Sequence, residues 1–131
     1  MSPAAIRSLA DIEALERTPY EQAIPARTTW GLIAHAAQRF GDRVALRYLP
    51  DADLASAPRD VRYAELLQQI RRAANLFRAL GVGQQDAVAI LAPNIPEMYE
   101  AHFGVPMTGG VLNSLNTRLD AAMIAFILDH S

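Results

Sequence analysis

The sequence predicts an α/β fold: a β-hairpin, then a parallel strand–helix–strand unit, with helices flanking both. Three observations carry this. Leu66, Ile70, Ala73, Phe77 and Leu80 recur at spacings of 4, 3, 4 and 3, the period of a helix with one apolar face. Val44, Leu46 and Tyr48 alternate with Ala45 and Arg47, the period of a half-buried strand. Ala87 to Ala92 is a near-continuous apolar run of strand length, as expected of a strand covered on both faces in a parallel sheet.

The remaining elements fall around these three. Pro3 to Arg17 spaces Ile6, Leu9, Ile12 and Leu15 three apart, a weak amphipathic helix, and Pro19 and Pro25 should then force extended chain. Thr28 or Thr29 can cap a helix with Trp30, Ile33, Ala37 and Phe40 on one face and Gly41 as its left-handed C-cap. Val61 to Tyr63 supplies the hairpin's second strand, and the acidic Pro50 to Asp60 stretch between the strands reads as a surface loop. The strongest helix runs from Ala64 to Leu80 and is ended by Gly81. After the strand at 87–92, Asn94 can cap a helix that starts at Pro96 and carries Met98, Tyr99, His102 and Phe103 on an apolar side. Pro106 and the Gly109–Gly110 pair end it. Val111, Leu112 and Leu115 form the next strand, joined to the previous one by a parallel, right-handed crossover. A last helix, started by Asp120 or Thr117, should face a core with Ile124, Ile127 and Leu128; with no capping glycine or following strand before Ser131, the chain reads as cut.

Composition removes several functions. A chain of 131 residues has room for one domain, and 24 alanines make its apolar fraction less bulky than 51% suggests. A net charge of −2 provides no basic field for a phosphate backbone, so no nucleic-acid role is expected. There is no cysteine, hence no thiolate nucleophile and no cysteine zinc site. All twelve basic residues are arginine, which excludes lysine-dependent chemistry. The longest apolar runs fall well short of the roughly 20 residues of a membrane span, and the N-terminus lacks a secretory pattern, so a cytoplasmic location is the expectation.

Each candidate for chemistry has a plainer account. Gly81-Val82-Gly83 has the look of a phosphate turn, but it follows a helix where a phosphate turn would open one, and a C-cap explains both glycines. Glu97, Glu100 and His102 could be imagined as metal ligands, yet residues two apart on a helix point away from each other. His35 and His130 have no serine or cysteine partner by spacing. Trp30, Phe40, Tyr63 and Phe77 fit core packing better than a ligand pocket, and Arg71, Arg72 and Arg78 fit a solvated helix face better than an anion site.

Taken in order, several blocks resemble the N-terminal part of the acyl-adenylate-forming (AMP-binding) enzymes, specifically the ATP-dependent acid–CoA ligases, or acyl-CoA synthetases. Tyr63-Ala64-Glu65-Leu66 with Arg72-Ala73-Ala74-Asn75-Leu76 is similar to a strand-to-helix segment of that family. Gly81 to Ile90 resembles its turn and strand, and Pro93-Asn94 its next signal. Ala101-His102-Phe103-Gly104-Val105-Pro106-Met107 and Leu112 to Asp120 are similar to the branch that acts on short, medium-chain or aryl acids. Two positions depart from the pattern: Gln85 stands where a glycine is usual before Asp86, and Ala87 where a basic residue is usual after it. Both bear on the geometry of one turn.

The resemblance implies that residues 28–131 are the N-terminal portion of the large synthetase domain, truncated before its phosphate loop, with residues 1–27 a leader. It implies a parent reaction in which a carboxylic acid and ATP form acyl-AMP and pyrophosphate, after which CoA forms acyl-CoA and AMP. ATP, Mg and CoA are thus implied for the longer enzyme and none for this chain, and its carboxylic acid likewise. Both family lysines and the Ser/Thr/Gly-rich loop are lacking here, so no catalytic, cofactor-binding or metal residue is assigned and the isolated chain is expected to be inactive. The strands' open edges lead to an expectation of self-association, or of pairing with the downstream portion. The other reading is a freestanding, non-catalytic scaffold module that binds a protein partner through an open sheet edge.

Overall fold

The structure is a computed structural model that describes residues 6–24, 26–51, 53 and 55–131. Pro3 at the expected start of the first helix, Pro25, and Ala52 and Leu54 of the loop lie outside the described residues. Helix α1 is Leu9–Glu16, shorter than expected because Ser8 caps it: Asp11 N–H donates to Ser8 Oγ while the Asp11 carboxylate accepts from Ser8 N–H, a closed capping box. None of its residues is buried among the described residues, and Leu9 is 71% exposed. Pro19 is itself extended, as expected (φ −54°, ψ 139°), but the chain does not stay so, because Pro19 is the N-cap of the one-turn helix α2 (Tyr20–Ala23).

Helix α3 (Thr29–Phe40) is capped by Thr28, whose hydroxyl accepts from Gly31 N–H at 3.0 Å. Gly41 is not left-handed: its φ is −46°, and a Cβ there would lie 2.9 Å from the Ala37 carbonyl oxygen. Glycine serves close approach at this point, not backbone handedness. Strands β1 (Val44–Tyr48) and β2 (Arg59–Arg62) form the expected antiparallel hairpin, with Ala45 as an extra residue between the Val44–Arg62 and Leu46–Val61 pairs. Tyr63 belongs to the next helix.

Helix α4 (Tyr63–Ala79) is the centre of the molecule. Leu66, Ile70 and Ala74 are buried, and Ile33, Val61, Leu66 and Ile70 make the core against which Trp30, Leu46, Leu67, Phe103 and Met107 pack. Burying a side chain such as Ile70 stabilises by about 1.5–3 kcal/mol. The stripe fades toward the C-terminus, where Phe77 is half-buried and Leu80 is 70% exposed. The chain then turns through Gly81 at φ 91°, with Val82 N–H donating to Phe77 O and Gly81 N–H to Arg78 O, both 3.0 Å. That is a Schellman cap.

Strands β3 (Ala87–Leu91) and β4 (Val111–Leu115) pair in parallel from Ala87–Val111 to Leu91–Leu115. The expectation of a strand covered on both faces is corrected: β3 alternates between exposed and half-buried positions, and Leu91 and Val111 are each more than half exposed. Before β3, Gln85 adopts φ +66°, a left-handed conformation, while its N–H donates to Gly109 O at 2.8 Å. A non-glycine residue held there costs about 1–2 kcal/mol.

Helix α5 (Pro96–Gly104) links the two strands and is followed by a 3₁₀ turn at Pro106–Thr108. Its N-cap is Ile95, not Asn94, and no side chain caps it. The buried side is Pro96, Ala101 and Gly104, opposite in kind to the large residues expected. Small residues win because α5 lies almost on α4: a Cβ on Gly104 would come within 2.9 Å of the Ala73 Cβ and 3.2 Å of the Ala74 nitrogen. Helix α6 (Ala121–Asp129), capped by the Asp120 carboxylate, has no buried residue; Ile124 and Ile127 are half-buried and Leu128 is exposed, so the expected core contact is absent among the described residues. None of the described helices is long and apolar enough to cross a membrane.

Candidate functional site

Large residues of α5, including Phe103, which also packs against the core, line an open groove. Leu46 and Tyr48 of β1 face Met98, Tyr99 and Phe103 across a cavity of about 590 Å³. Tyr99 and Phe103 are tilted against each other with ring centres 5.2 Å apart. Arg47 also lines this groove, while its guanidinium is committed to a bidentate pair with Asp60 at 2.6 and 2.7 Å. Hydrogen bonding to Arg47, and then its charge, hold the Asp60 carboxyl below the usual carboxylate range against the opposing effect of desolvation.

A second, polar cavity of about 630 Å³ adjoins it, lined by Ser114, Asn116, Thr117 and Arg118. Asn94, Met98 and His102 line both. At this junction the His102 ring is held at both nitrogens, Nδ1 lying 2.8 Å from the Met98 carbonyl oxygen and Nε2 3.2 Å from Ser114 Oγ. A carbonyl only accepts, so the proton sits on Nδ1 and Nε2 accepts from the serine hydroxyl. Spacing singles out His102 only as a metal candidate and does not single out Ser114. Twelve positions separate them, and only the parallel crossover brings the strand beneath the helix.

The other candidates separate. Glu97 pairs with Arg59 at 3.3 Å. Burial, then the Glu97 charge, lift the Glu100 carboxyl above its ordinary value. With His102 turned to Met98 and Ser114, no three His, Asp or Glu side chains converge on a metal position among the described residues. His35 is exposed on α3, and His130 stacks on Phe126 with ring centres 4.1 Å apart. Trp30, Phe40, Tyr63 and Phe77 are all half-buried; Arg71 lies over Trp30, and Arg39 and Arg43 lie over Phe40 at 5.2 and 4.9 Å. Arg78 donates to the Met107 carbonyl, tying α4 to the turn after α5.

The glycine turn at 81–83 does not fit a nucleotide phosphate. The Gly81 and Val82 amides are used in the helix cap, and Gly83 N–H donates to the Asp86 carboxylate at 2.7 Å, which puts a negative charge where an anion would bind.

Residues 33–131 match the family model described as AMP-binding enzyme. A peroxisomal acetate/butyrate–CoA ligase of Arabidopsis thaliana is 44% identical over 92 residues, 70% of this chain and 16% of that protein. A peroxisomal trans-cinnamate–CoA ligase of Petunia hybrida is 53% identical over 60 residues, 46% of this chain and 10% of that protein. Among solved structures, the N-terminal subdomain of Klebsiella oxytoca NpsA with 3-hydroxybenzoyl-AMSN superposes with a TM-score of 0.70 at 25% identity, covering 79% of this chain and 24% of that one. The o-succinylbenzoate–CoA synthetase of Bacillus subtilis, with its acyl-adenylate, superposes at 0.67 and 29% identity, covering 79% and 24%. The chain therefore spans less than a quarter of the relatives named.

Proposed function

Because the chain belongs to the AMP-binding enzyme family, we propose that it supplies the N-terminal scaffold of an ATP-dependent acid–CoA ligase and none of the adenylating groups. The parent would join a carboxylic acid to AMP with release of pyrophosphate and pass the acyl group to CoA, using ATP, Mg and CoA held by a downstream portion. The acetate, butyrate and cinnamate named for relatives favour a small or aryl acid. In this reading residues 28–131 are the first part of the synthetase domain and 1–27 its leader.

One observation carries the non-catalytic part: the one phosphate-like turn has its amides turned inward on its own helix cap and on Asp86. The absence of lysine from the sequence supports the same reading, since the family's adenylation is expected to use an ammonium that this chain cannot supply. Acid-dependent exchange of pyrophosphate into ATP, assayed with acetate, butyrate and cinnamate, is expected to stay at background for the 131-residue chain. Exchange above background with any of the three would overturn the proposal.

The exposed Leu91 and Val111 of the parallel pair, and Met123, Phe126 and Leu128 of α6, support a further part of this reading: these surfaces pair with the downstream portion, or with a second copy when that portion is not supplied. A cytoplasmic location belongs to the same proposal and is tested by cell fractionation, since several relatives are named as peroxisomal.

A further inference from the structure

We propose that Ser114 and His102 form a nucleophilic dyad that accepts acyl groups from short activated esters. The arrangement has the parts such a reaction requires. The nucleophile is exposed at the end of a strand and has its hydroxyl 3.2 Å from Nε2 of the base. The base is held in the correct tautomer by a third group, the Met98 carbonyl at 2.8 Å, which is a positioning partner fixed by the helix itself. An apolar groove of about 590 Å³, floored by Met98, Tyr99 and Phe103, ends at this histidine and suits a small acyl chain. On the other side, Asn94 and Arg118 line the polar cavity that Ser114 also lines.

The reaction balances without a further reagent. Ser114 Oγ attacks the acyl carbonyl carbon as its proton passes to His102 Nε2. The ester C–O bond then breaks, the imidazolium returns the proton to the leaving oxygen, and the products are an alcohol and an O-acyl serine. Water, activated by the same nitrogen, releases the acid and restores the hydroxyl.

p-Nitrophenyl butyrate and a fluorophosphonate are the probes, applied to the full 131-residue chain. The expected result is nitrophenol release, with the butyryl or phosphonyl group found on Ser114 by peptide mass spectrometry. Ser114→Ala should abolish both signals. His102→Ala should lower them by about 10²–10⁴-fold, with partial recovery on addition of imidazole, a response that a merely structural histidine would not give. Both side chains are exposed, so the variants should keep the parent's circular dichroism and melting curve; Ser56→Ala serves as a labelling control. No labelling of Ser114 in the folded chain, or ester turnover unchanged in Ser114→Ala or His102→Ala, overturns the proposal. Because pyrophosphate exchange is not read here, the outcome is independent of the ligase reading.

Discussion

The hairpin β1–β2 and the parallel pair β3–β4 are both two-stranded, yet they are held by different means. The hairpin is followed directly by α4, so its inward residue Val61 is 1% exposed and joins the main core, while a bidentate Arg47–Asp60 pair spans its outer face. The parallel pair has a complete five-residue register, but cover on one side only among the described residues, and leaves Leu91 and Val111 more than half exposed. Full hydrogen-bond pairing therefore does not bury a strand along its length: Leu115 of β4 is 6% exposed, whereas its partner Leu91 is 53% exposed. What decides it is whether an element with an apolar face lies against it.

This contrast can be broken first at the core. Ile70→Ala should cost about 2–5 kcal/mol in urea denaturation, because Ile70 is fully buried beneath the hairpin. Leu91→Ala, on the open face, should stay within about 0.5 kcal/mol. Similar losses at the two sites would mean that the two sheets share one core after all. A smaller effect is expected where α5 meets α4. Gly104→Ala places a Cβ against Ala73 and the Ala74 backbone and should cost about 1–3 kcal/mol, with β3 and β4 amides exchanging sooner than those of the hairpin. Uniform acceleration across both sheets would refute that division.

The smallest effect sharpens the hairpin's side of the comparison. Asp60 has its carboxyl lowered in the folded chain, so its contribution is present above the unfolded carboxylate range and is lost as pH falls through the lower folded value. Asp60→Asn should therefore lessen the acid sensitivity of folding below about pH 4 while lowering stability slightly at neutral pH. An unchanged acid limb in the variant would show that the exposed pair does not contribute.

The helix α4, the hairpin and the parallel order of β3 and β4 were all legible, because each repeats a period over enough residues to stand out. The side of α5 that is buried was not. Hydropathy marks Met98, Tyr99 and Phe103 as inward, and Phe103 does pack against the core, but a close helix crossing selects Ala101 and Gly104 for full burial by their lack of bulk. Gly41 and Gly81 look alike as helix stops, but one admits a neighbour and the other a positive φ. The departure at Gln85 was legible as a turn problem and falls on the one described non-glycine residue with positive φ. The His102–Ser114 contact could not be seen, since it needs the phase of a helix and the register of a strand to be known together.

The register of β3 on β4 also sets an order of events during synthesis. Each β3 residue waits for a partner 24 positions later, whereas every partner in the hairpin lies within 18. As the chain leaves the ribosome, the hairpin and α4 can close while Ala87–Leu91 is still an unpaired apolar strand, since non-local pairing is the slower step. That interval, before Val111–Leu115 has emerged, is when a chaperone would have the most to bind.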